Sequence, residues 1–201
     1  DEVDAVIPVI VIDPSPSKGV ERPMGPNRIR FLYESIADLE SRLERDYGAS
    51  LLVLSGCPRE AIPVLAKELG SRAEWLLCDY KTDPKSRNDV ETIRESLRGA
   101  RVRTKVFPSV STVLDIEGVV GSEGYRNPKS SIDIADILRS NLGQGPDGFL
   151  VPPPLGQPDD IKFDTVAFEA LSRAESLSEL VVTRAEIADS IENLGLVGSY
   201  F

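Results

Sequence analysis

Residues 51–58 read LLVLSGCP, a short apolar run followed at once by serine, glycine, cysteine and proline. The run predicts a buried strand, and Pro58 stands where the first turn of a helix accepts proline. A helix is predicted from Arg59 to Leu69, with its apolar side chains toward the core. The segment therefore predicts a strand that turns tightly into a helix, the repeating unit of an α/β fold.

Upstream of this unit, Val6–Ile12 (VIPVIVI) predicts a strand that is apolar on both faces, as in a buried parallel sheet. A proline- and glycine-rich loop follows, and a helical pattern then runs from Arg28 until Gly48. The apolar side chains expected on the core side of this helix are Leu32, Ile36, Leu39 and Leu43.

Downstream of it, strands are predicted at Glu74–Cys78 and Arg101–Phe107, with a helix over Pro84–Leu97 between them. The second of these strands alternates with a period of two, which favours an edge position. Strand and helix thus alternate along the chain. We expect an α/β fold with a doubly wound, mainly parallel, Rossmann-like sheet and helices on both faces.

The rest of the chain is patterned more weakly, and three regions are expected. They are an α/β domain over 1–140, a proline- and glycine-rich connection over 141–162, and a partly helical, acidic C-terminal tail over 163–201. Helices are predicted at Ile132–Leu138, Phe163–Leu177 and Ala185–Leu194. Between Asp164 and Glu192 there are seven acidic residues and two arginines. Two interpretations of these acidic residues stay open: the tail docks on a basic partner, or the acidic side chains form a solvated helix face.

Bulk composition excludes several functions. The 201 residues include 33 Asp and Glu against 23 Lys and Arg, and a net charge of -10 disfavours direct nucleic-acid binding. Because there is no histidine, Ser-His-Asp catalysis, Cys-His catalysis and histidine-containing zinc sites are excluded. Cys57 and Cys78 form no CxxC motif and are expected as small core residues.

The localisation expected from these features is intracellular and soluble, with the cytoplasm and a plastid not distinguished. The scarcity of cysteine fits a reducing compartment. No apolar run approaches the roughly 20 residues that span a bilayer, so no membrane span is expected.

Ligands of open α/β sheets bind beyond the carboxyl ends of the strands, where loops present backbone N–H groups. The candidate cofactor-binding residues there are Asp13, Pro14, Gly56, Asp79, Tyr80, Asp83 and Arg87. Gly56 either seats a phosphate or flat heterocycle or serves only as a tight turn. Asp79 and Asp83 either pair as carboxylates around a cation or belong to a solvated loop in which Asp83 caps the next helix. No GxGxxG or GxxxxGK[ST] motif occurs, and we assign no catalytic residue and no metal ligand.

Four segments, in this order, resemble the N-terminal α/β domain of the photolyase/cryptochrome family. They are VIPVIVIDP (6–14), RIRFLYESIADLESRL (28–43), LLVLSGCPREAIPVLAKELG (51–70) and CDYKTDPKSRNDV (78–90), and the resemblance covers about residues 5–140. Family members hold a folate or a deazaflavin as antenna chromophore in this domain, and a following all-helical domain binds FAD for light-driven electron transfer. The resemblance implies an antenna pocket at the candidate residues, whereas FAD is not expected in this chain.

The chain also departs from the family pattern. Family members open with a strand carrying Trp-Phe-Arg, and this chain starts at what would be their second strand, so the central strand is missing. Three explanations stay open: the chain is trimmed, another chain supplies the strand, or, as a hypothesis, residues 180–184 (LVVTR) insert as a strand instead. The family's Glu-Pro is Asp83-Pro84 here, and its Arg-Asp is matched only loosely by Arg87-Asn88-Asp89.

Three functions follow from these observations. The leading one is a non-catalytic binding or scaffold module that docks on protein partners in a larger assembly through 163–201, with or without a retained chromophore. The alternative is the antenna-chromophore-binding fragment of a full flavin-dependent DNA photolyase or cryptochrome. A small-molecule enzyme using Asp79 or Asp83 is the third. For this chain alone no enzymatic activity is expected, because the flavin domain has no place in it.

Overall fold

The computed structural model describes residues 4–13, 25–79, 84–107, 120–121, 126–141, 143–144, 150–151 and 161–194. The strands are β1 (Val9–Ile12), β2 (Leu52–Ser55), β3 (Trp75–Asp79), β4 (Arg103–Phe107), β5 (Gly143–Gln144) and β6 (Leu150–Val151). The α-helices are α1 (Pro26–Tyr47), α2 (Pro58–Leu69), α3 (Pro84–Arg98), α4 (Ser131–Asn141), α5 (Thr165–Ser172) and α6 (Arg184–Asn193). Short 3-10 helices span Gly70–Arg72 and Glu175–Leu177.

The pair β1–β2 forms the centre of the molecule. Its strands are parallel, with Val9 opposite Leu52 and Ile12 opposite Ser55. Because successive side chains point to opposite faces, each face has its own cover. One face packs on α2 and on the 161–181 segment through the buried residues Leu52, Leu54, Ala61, Leu65, Leu171 and Leu177. The other packs on α1 and α6 through Ile12, Ile36, Leu51, Val53 and Ile187. Helices therefore cover both faces, as predicted.

The pair β3–β4 is also parallel, with Trp75 opposite Arg103 and Asp79 opposite Phe107. Leu76 packs on a third cluster formed by α2 and α3, whose buried members are Ala66, Ile93, Leu97 and Val102. The side chains of β4 alternate between exposed and partly buried, as expected of an edge strand. Within the described ranges no ladder joins this pair to β1–β2, and β5–β6 form a separate antiparallel pair. The mixed α/β class with parallel strands is confirmed.

Several predicted boundaries differ from the structure. Strand β1 begins at Val9 rather than Val6, because Pro8 has no N–H to donate to a ladder. Strand β4 begins at Arg103, since Arg101 has a φ of 59° and forms a turn. The expectation that Leu39 faces the core is wrong: it is 40% exposed, at the margin of the apolar stripe of α1.

The predicted helix over Phe163–Leu177 is two shorter elements, α5 and a 3-10 helix, separated by Arg173 and the extended residue Ala174. The interruption lets Leu171 and Leu177 enter the same core cluster. The described part of the predicted tail is therefore packed into the fold rather than projecting from it.

Residues 180–182 do join the sheet, as hypothesised, but at a different place. Ser55 N–H donates to Leu180 O at 2.7 Å, Val182 N–H donates to Val53 O at 2.8 Å, and Val181 forms an antiparallel bridge with Leu54. The groups of β2 that bond to β1 belong to the alternate residues, so this segment lies on the opposite edge of β2. It extends the sheet at β2 and does not replace a central strand.

No described helix is both long and apolar enough to cross a bilayer.

Candidate functional site

The carboxyl ends of β1 and β2 bring two of the predicted site residues together. Gly56 directly follows β2, and its N–H donates to Ile12 O at 2.8 Å, so it lies beside the chain that continues into Asp13. Gly56 has a φ of 137°, a conformation open only to glycine without strain. Glycine at this position is thus required by the turn from strand to helix.

The surroundings of Gly56 favour the tight-turn interpretation over the phosphate seat. Its N–H is already bonded within the sheet, and an added Cβ would meet Leu180 Cδ2 at 3.5 Å. Leu180 therefore packs directly against this turn, where a ligand would need open space and unpaired N–H donors.

The remaining predicted site residues are distributed differently. Asp79 ends β3 and is partly buried, and Arg87 is exposed in the first turns of α3. Pro14, Tyr80 and Asp83 lie outside the described residues. The described part of the chain thus brings together Asp13 and Gly56, while Asp79 belongs to the second strand pair. The seven-residue pocket stays a prediction.

One ion pair near this edge was missed by the sequence argument. Arg59, in the first turn of α2, pairs with Asp89 of α3 at 3.2 Å, and the carboxylate side chain is only 17% exposed. A hydrogen bond with Cys57, followed by the charge of Asp89, raises the pKa of the Arg59 guanidinium above its ordinary value. Asp89 therefore ties α3 to the start of α2. No local signal pairs these residues, because they come from different helices.

Two hollows of the described surface lie away from the candidate cofactor-binding residues. One of about 480 Å³ lies at the amino ends of β3 and β4, and one of about 180 Å³ lies between α1 and α6. Among the described residues no group of three or more Cys, Asp and Glu side chains is placed to hold a metal ion.

Comparison with known proteins identifies the chain's relatives. The family model of DNA photolyase matches residues 1–130. Similar proteins include a cryptochrome DASH of Xenopus laevis, 34% identical over 93 residues, and the blue-light photoreceptor PHR2 of Arabidopsis thaliana, 32% identical over 112 residues. A (6-4)DNA photolyase of Arabidopsis thaliana is 41% identical over 85 residues.

These matches cover part of each protein. The match to the Xenopus laevis cryptochrome DASH covers 44% of this chain and 17% of the relative. The match to PHR2 covers 53% of this chain and 24% of the relative, and the match to the (6-4)DNA photolyase covers 38% of this chain and 15% of the relative. The chain thus spans less than a quarter of the length of these relatives, in the region of their α/β domain. A family match over more than half of the residues, on a parallel α/β framework, leads to one conclusion: the chain belongs to the DNA photolyase family, through its N-terminal domain.

Proposed function

We propose that this chain is a non-catalytic binding module, a photolyase-type α/β domain that docks on protein partners in a larger assembly. The observation that supports this most directly is the packing of residues 161–194. In this segment Leu171, Leu177 and Ile187 pack into the core of the α/β domain. The chain also lacks the histidine that most general acid–base chemistry uses.

The contacts at the carboxyl ends of β1 and β2 support the same proposal. The Gly56 N–H is bonded to Ile12 O, and Leu180 packs against the turn. A chromophore seated there would have to displace Leu180 or rely on other groups. Docking through 163–201 also remains part of the proposal, with the acidic helix faces as the contacting surface, because Leu171, Leu177 and Ile187 of the described segment are buried in the core.

A second candidate is the antenna-bearing part of a light-driven flavin protein. It is favoured by the family match over residues 1–130 and by relatives that are named as a blue-light photoreceptor and a photolyase. Asp79 and Arg87 would then contact a folate or deazaflavin together with residues of the neighbouring loops.

An absorption spectrum separates the two candidates. We expect the purified chain to be colourless in the near ultraviolet and blue, where folates and flavins absorb, and to show no saturable change on titration with a reduced folate or a deazaflavin at about micromolar concentration. A stoichiometric absorption band that is lost in Asp79→Ala and Arg87→Ala, but retained in Arg42→Ala on helix α1, would favour the antenna-bearing candidate, whereas a monomeric mass with no partner recovered by affinity capture would contradict the binding module. Affinity capture from the native source should in addition return a complex of defined mass by light scattering.

A further inference from the structure

Strand β1 has one backbone edge that no described residue uses. Ile12 O accepts from Gly56 N–H at 2.8 Å, so Ile12 directs its backbone groups toward β2. Because successive residues of a strand face opposite edges, the N–H and C=O groups of Val9 and Val11 point to the other side. Among the described residues, β1 pairs along its length with β2 alone. We call the backbone groups of Val9 and Val11 the free edge.

Both faces of β1 are already packed, which leaves the free edge as the part that a partner can use. The side chains of Val9 and Val11 pack on the cluster that includes α2, and those of Ile10 and Ile12 on the cluster that includes α1 and α6. Backbone N–H and C=O groups beside such apolar packing need hydrogen-bond partners. A helix bonds its own backbone internally, whereas an extended chain offers the alternating groups that a strand edge requires.

The composition of β1 is that of an interior strand. The outer edge of β2 is bonded to residues 180–182, and the edge strand β4 carries Arg103 and Lys105. Charged side chains on an edge strand discourage pairing with further strands. The sequence of β1, VIVI, has neither a charge nor a proline. Parallel strands of this composition are typical of the interior of a sheet, where each has a neighbour on both sides.

Strand β3 repeats this arrangement under the same helix. Arg103 N–H donates to Glu74 O at 2.9 Å, so by the same alternation Trp75 and Leu77 direct their backbone groups away from β4. No described strand pairs with that side of β3. Helix α2 packs on β1 and shares a core cluster with Leu76 of β3. Two strands that contact one covering helix thus each have an edge that no described strand occupies.

The described chain and a second copy are poorer occupants than another protein. Residues 162–164 bond to Val6, ahead of the strand, and residues 180–182 bond to β2, so both segments are used elsewhere. A second copy would bring together two chains of net charge -10, which repel each other. A strand with basic flanks, by contrast, is attracted by this charge.

We propose that the free edge of β1 binds an extended apolar strand of a protein partner, which adds to the sheet by β-augmentation. The strand pairs its N–H and C=O groups with those of Val9 and Val11, and its side chains extend the two clusters that cover β1. Lysine or arginine residues flank it. This proposal rests on the binding-module function and names the surface and the partner chemistry for it.

Amide hydrogen exchange of the full 201-residue chain, followed by NMR, tests the free edge directly. We expect fast exchange at Val9 and Val11 and protection at Ile10 and Ile12, whose N–H groups face β2. The probe is a short synthetic peptide of alternating valine and isoleucine residues with lysines at both ends. Its addition should protect Val9 and Val11 in a saturable way. A control peptide with N-methyl groups on two adjacent central residues lacks a donor on each of its edges and should give no protection.

The variant Val9→Pro removes the outward N–H donor and leaves the ladder to β2 in place, so affinity for the probe should fall at least about tenfold. The matched control is Val166→Pro in the first turn of α5, where proline is tolerated, and it should bind like wild type. If Val9→Pro fails to fold by circular dichroism, the comparison of the two peptides on the wild-type chain still decides.

Three outcomes would overturn the proposal: no saturable protection, equal affinity for the two peptides, or equal loss in Val166→Pro. Slow exchange at Val9 and Val11 before any peptide is added would also reject it. With a dimeric mass by light scattering, that result would identify a second copy as the occupant. In a longer form of the chain from the native source, it would identify a strand of the same polypeptide.

The underlying function is tested separately. A native complex captured equally by wild type and Val9→Pro would keep the binding module and reject the free edge as its docking surface. A monomeric mass with no partner recovered by affinity capture would reject the module whatever the peptide does.

Discussion

The most constrained charged residue of the described core is Glu40. It is only 9% exposed on α1, and Arg184 of α6 donates to its carboxylate, with Nε to Oε1 at 2.9 Å. Arg184 also reaches Glu44, with Nη1 to Oε2 at 3.0 Å. These contacts, led by the hydrogen bond to Glu40, raise the pKa of the Arg184 guanidinium. A nearly buried carboxylate needs such a donor, because desolvating an unpaired charge is costly.

Arg184→Ala should therefore destabilise the fold by about 1–3 kcal/mol, since it leaves the Glu40 carboxylate without its guanidinium donor. The free energy of unfolding from urea denaturation measures this. The matched control is Arg42→Ala, whose partner Asp38 is as exposed as Arg42 itself (62% for each side chain) and which should cost no more than about 0.5 kcal/mol. Equal effects of the two substitutions would show that the Arg184 contact is no stronger than a surface ion pair.

At the scale of elements, helix α6 has the clearest local signal. Thr183 is its N-cap and forms a capping box with Glu186: the Thr183 hydroxyl accepts from the Glu186 N–H, and the Glu186 carboxylate accepts from the Thr183 N–H at 2.7 Å. The N–H and hydroxyl of Thr183 lower the pKa of Glu186 below its ordinary value. The pattern Thr-x-x-Glu predicts a helix start from local residues alone.

This capping box should make the stability of the chain depend on pH. A carboxyl whose pKa is lower in the folded state stabilises it above the unfolded value, near 4.3 for Glu, and the contribution is lost as pH falls through the folded value. We expect Glu186→Gln to lower the thermal unfolding midpoint at pH 7 and to have a smaller effect at pH 3. A difference between the two proteins that stays constant from pH 7 to pH 3 would contradict this.

Elements that depend on long-range packing were less predictable. Periodicity indicated one helix over Phe163–Leu177, but the chain breaks at Arg173 and Ala174 so that Leu177 reaches the cluster around Leu52 and Leu54. Burial of Leu177 contributes roughly 1.5–3 kcal/mol. At the break, Ala174 N–H donates to Leu171 O and Leu177 N–H donates to Ala174 O, so turn hydrogen bonds replace part of those of a continuous helix. Strand β2 and helix α2 came out close to prediction, since LLVLSGCP carries its turn chemistry in adjacent residues.

At the scale of the molecule, residues 161–194 pack on both faces of β1–β2 and complete its two core clusters. Leu177 is fully buried in the cluster with Leu52 and Leu54, and Ile187 is buried on the other face of β1–β2. The two faces of one parallel pair are thus partly covered by the end of the described chain. Six of the seven acidic side chains between Asp164 and Glu192 are exposed, and Asp164 is partly buried as the N-cap of α5.

Leu177→Ala should cost about 2–5 kcal/mol in the free energy of unfolding, because it removes a buried side chain and leaves a cavity. Val166→Ala in the same segment is the control: Val166 is 69% exposed, and the change should stay within about 0.5 kcal/mol. Chemical denaturation of both variants measures the difference. A Leu177→Ala variant as stable as Val166→Ala would mean that the segment contributes little to the fold in solution.

The candidate site shows the same division between what local sequence predicts and what it does not. The glycine turn at Gly56 was predictable, since a strand-to-helix turn after LLVL calls for a glycine. That Leu180 packs against this turn, and that Asp89 pairs with Arg59, was not, because each contact joins segments distant in the chain.

Short windows of sequence were enough to predict the α/β class, most strands and helices, the family, and the exclusion of histidine chemistry, because these follow from periodicity, turn residues and composition. The folded structure was needed to show that residues 180–182 bond to the outer edge of β2 and that residues of the acidic segment are part of the core. The reason is physical: backbone pairing and apolar burial act on groups that are close in space, and closeness between distant segments is a property of the folded chain.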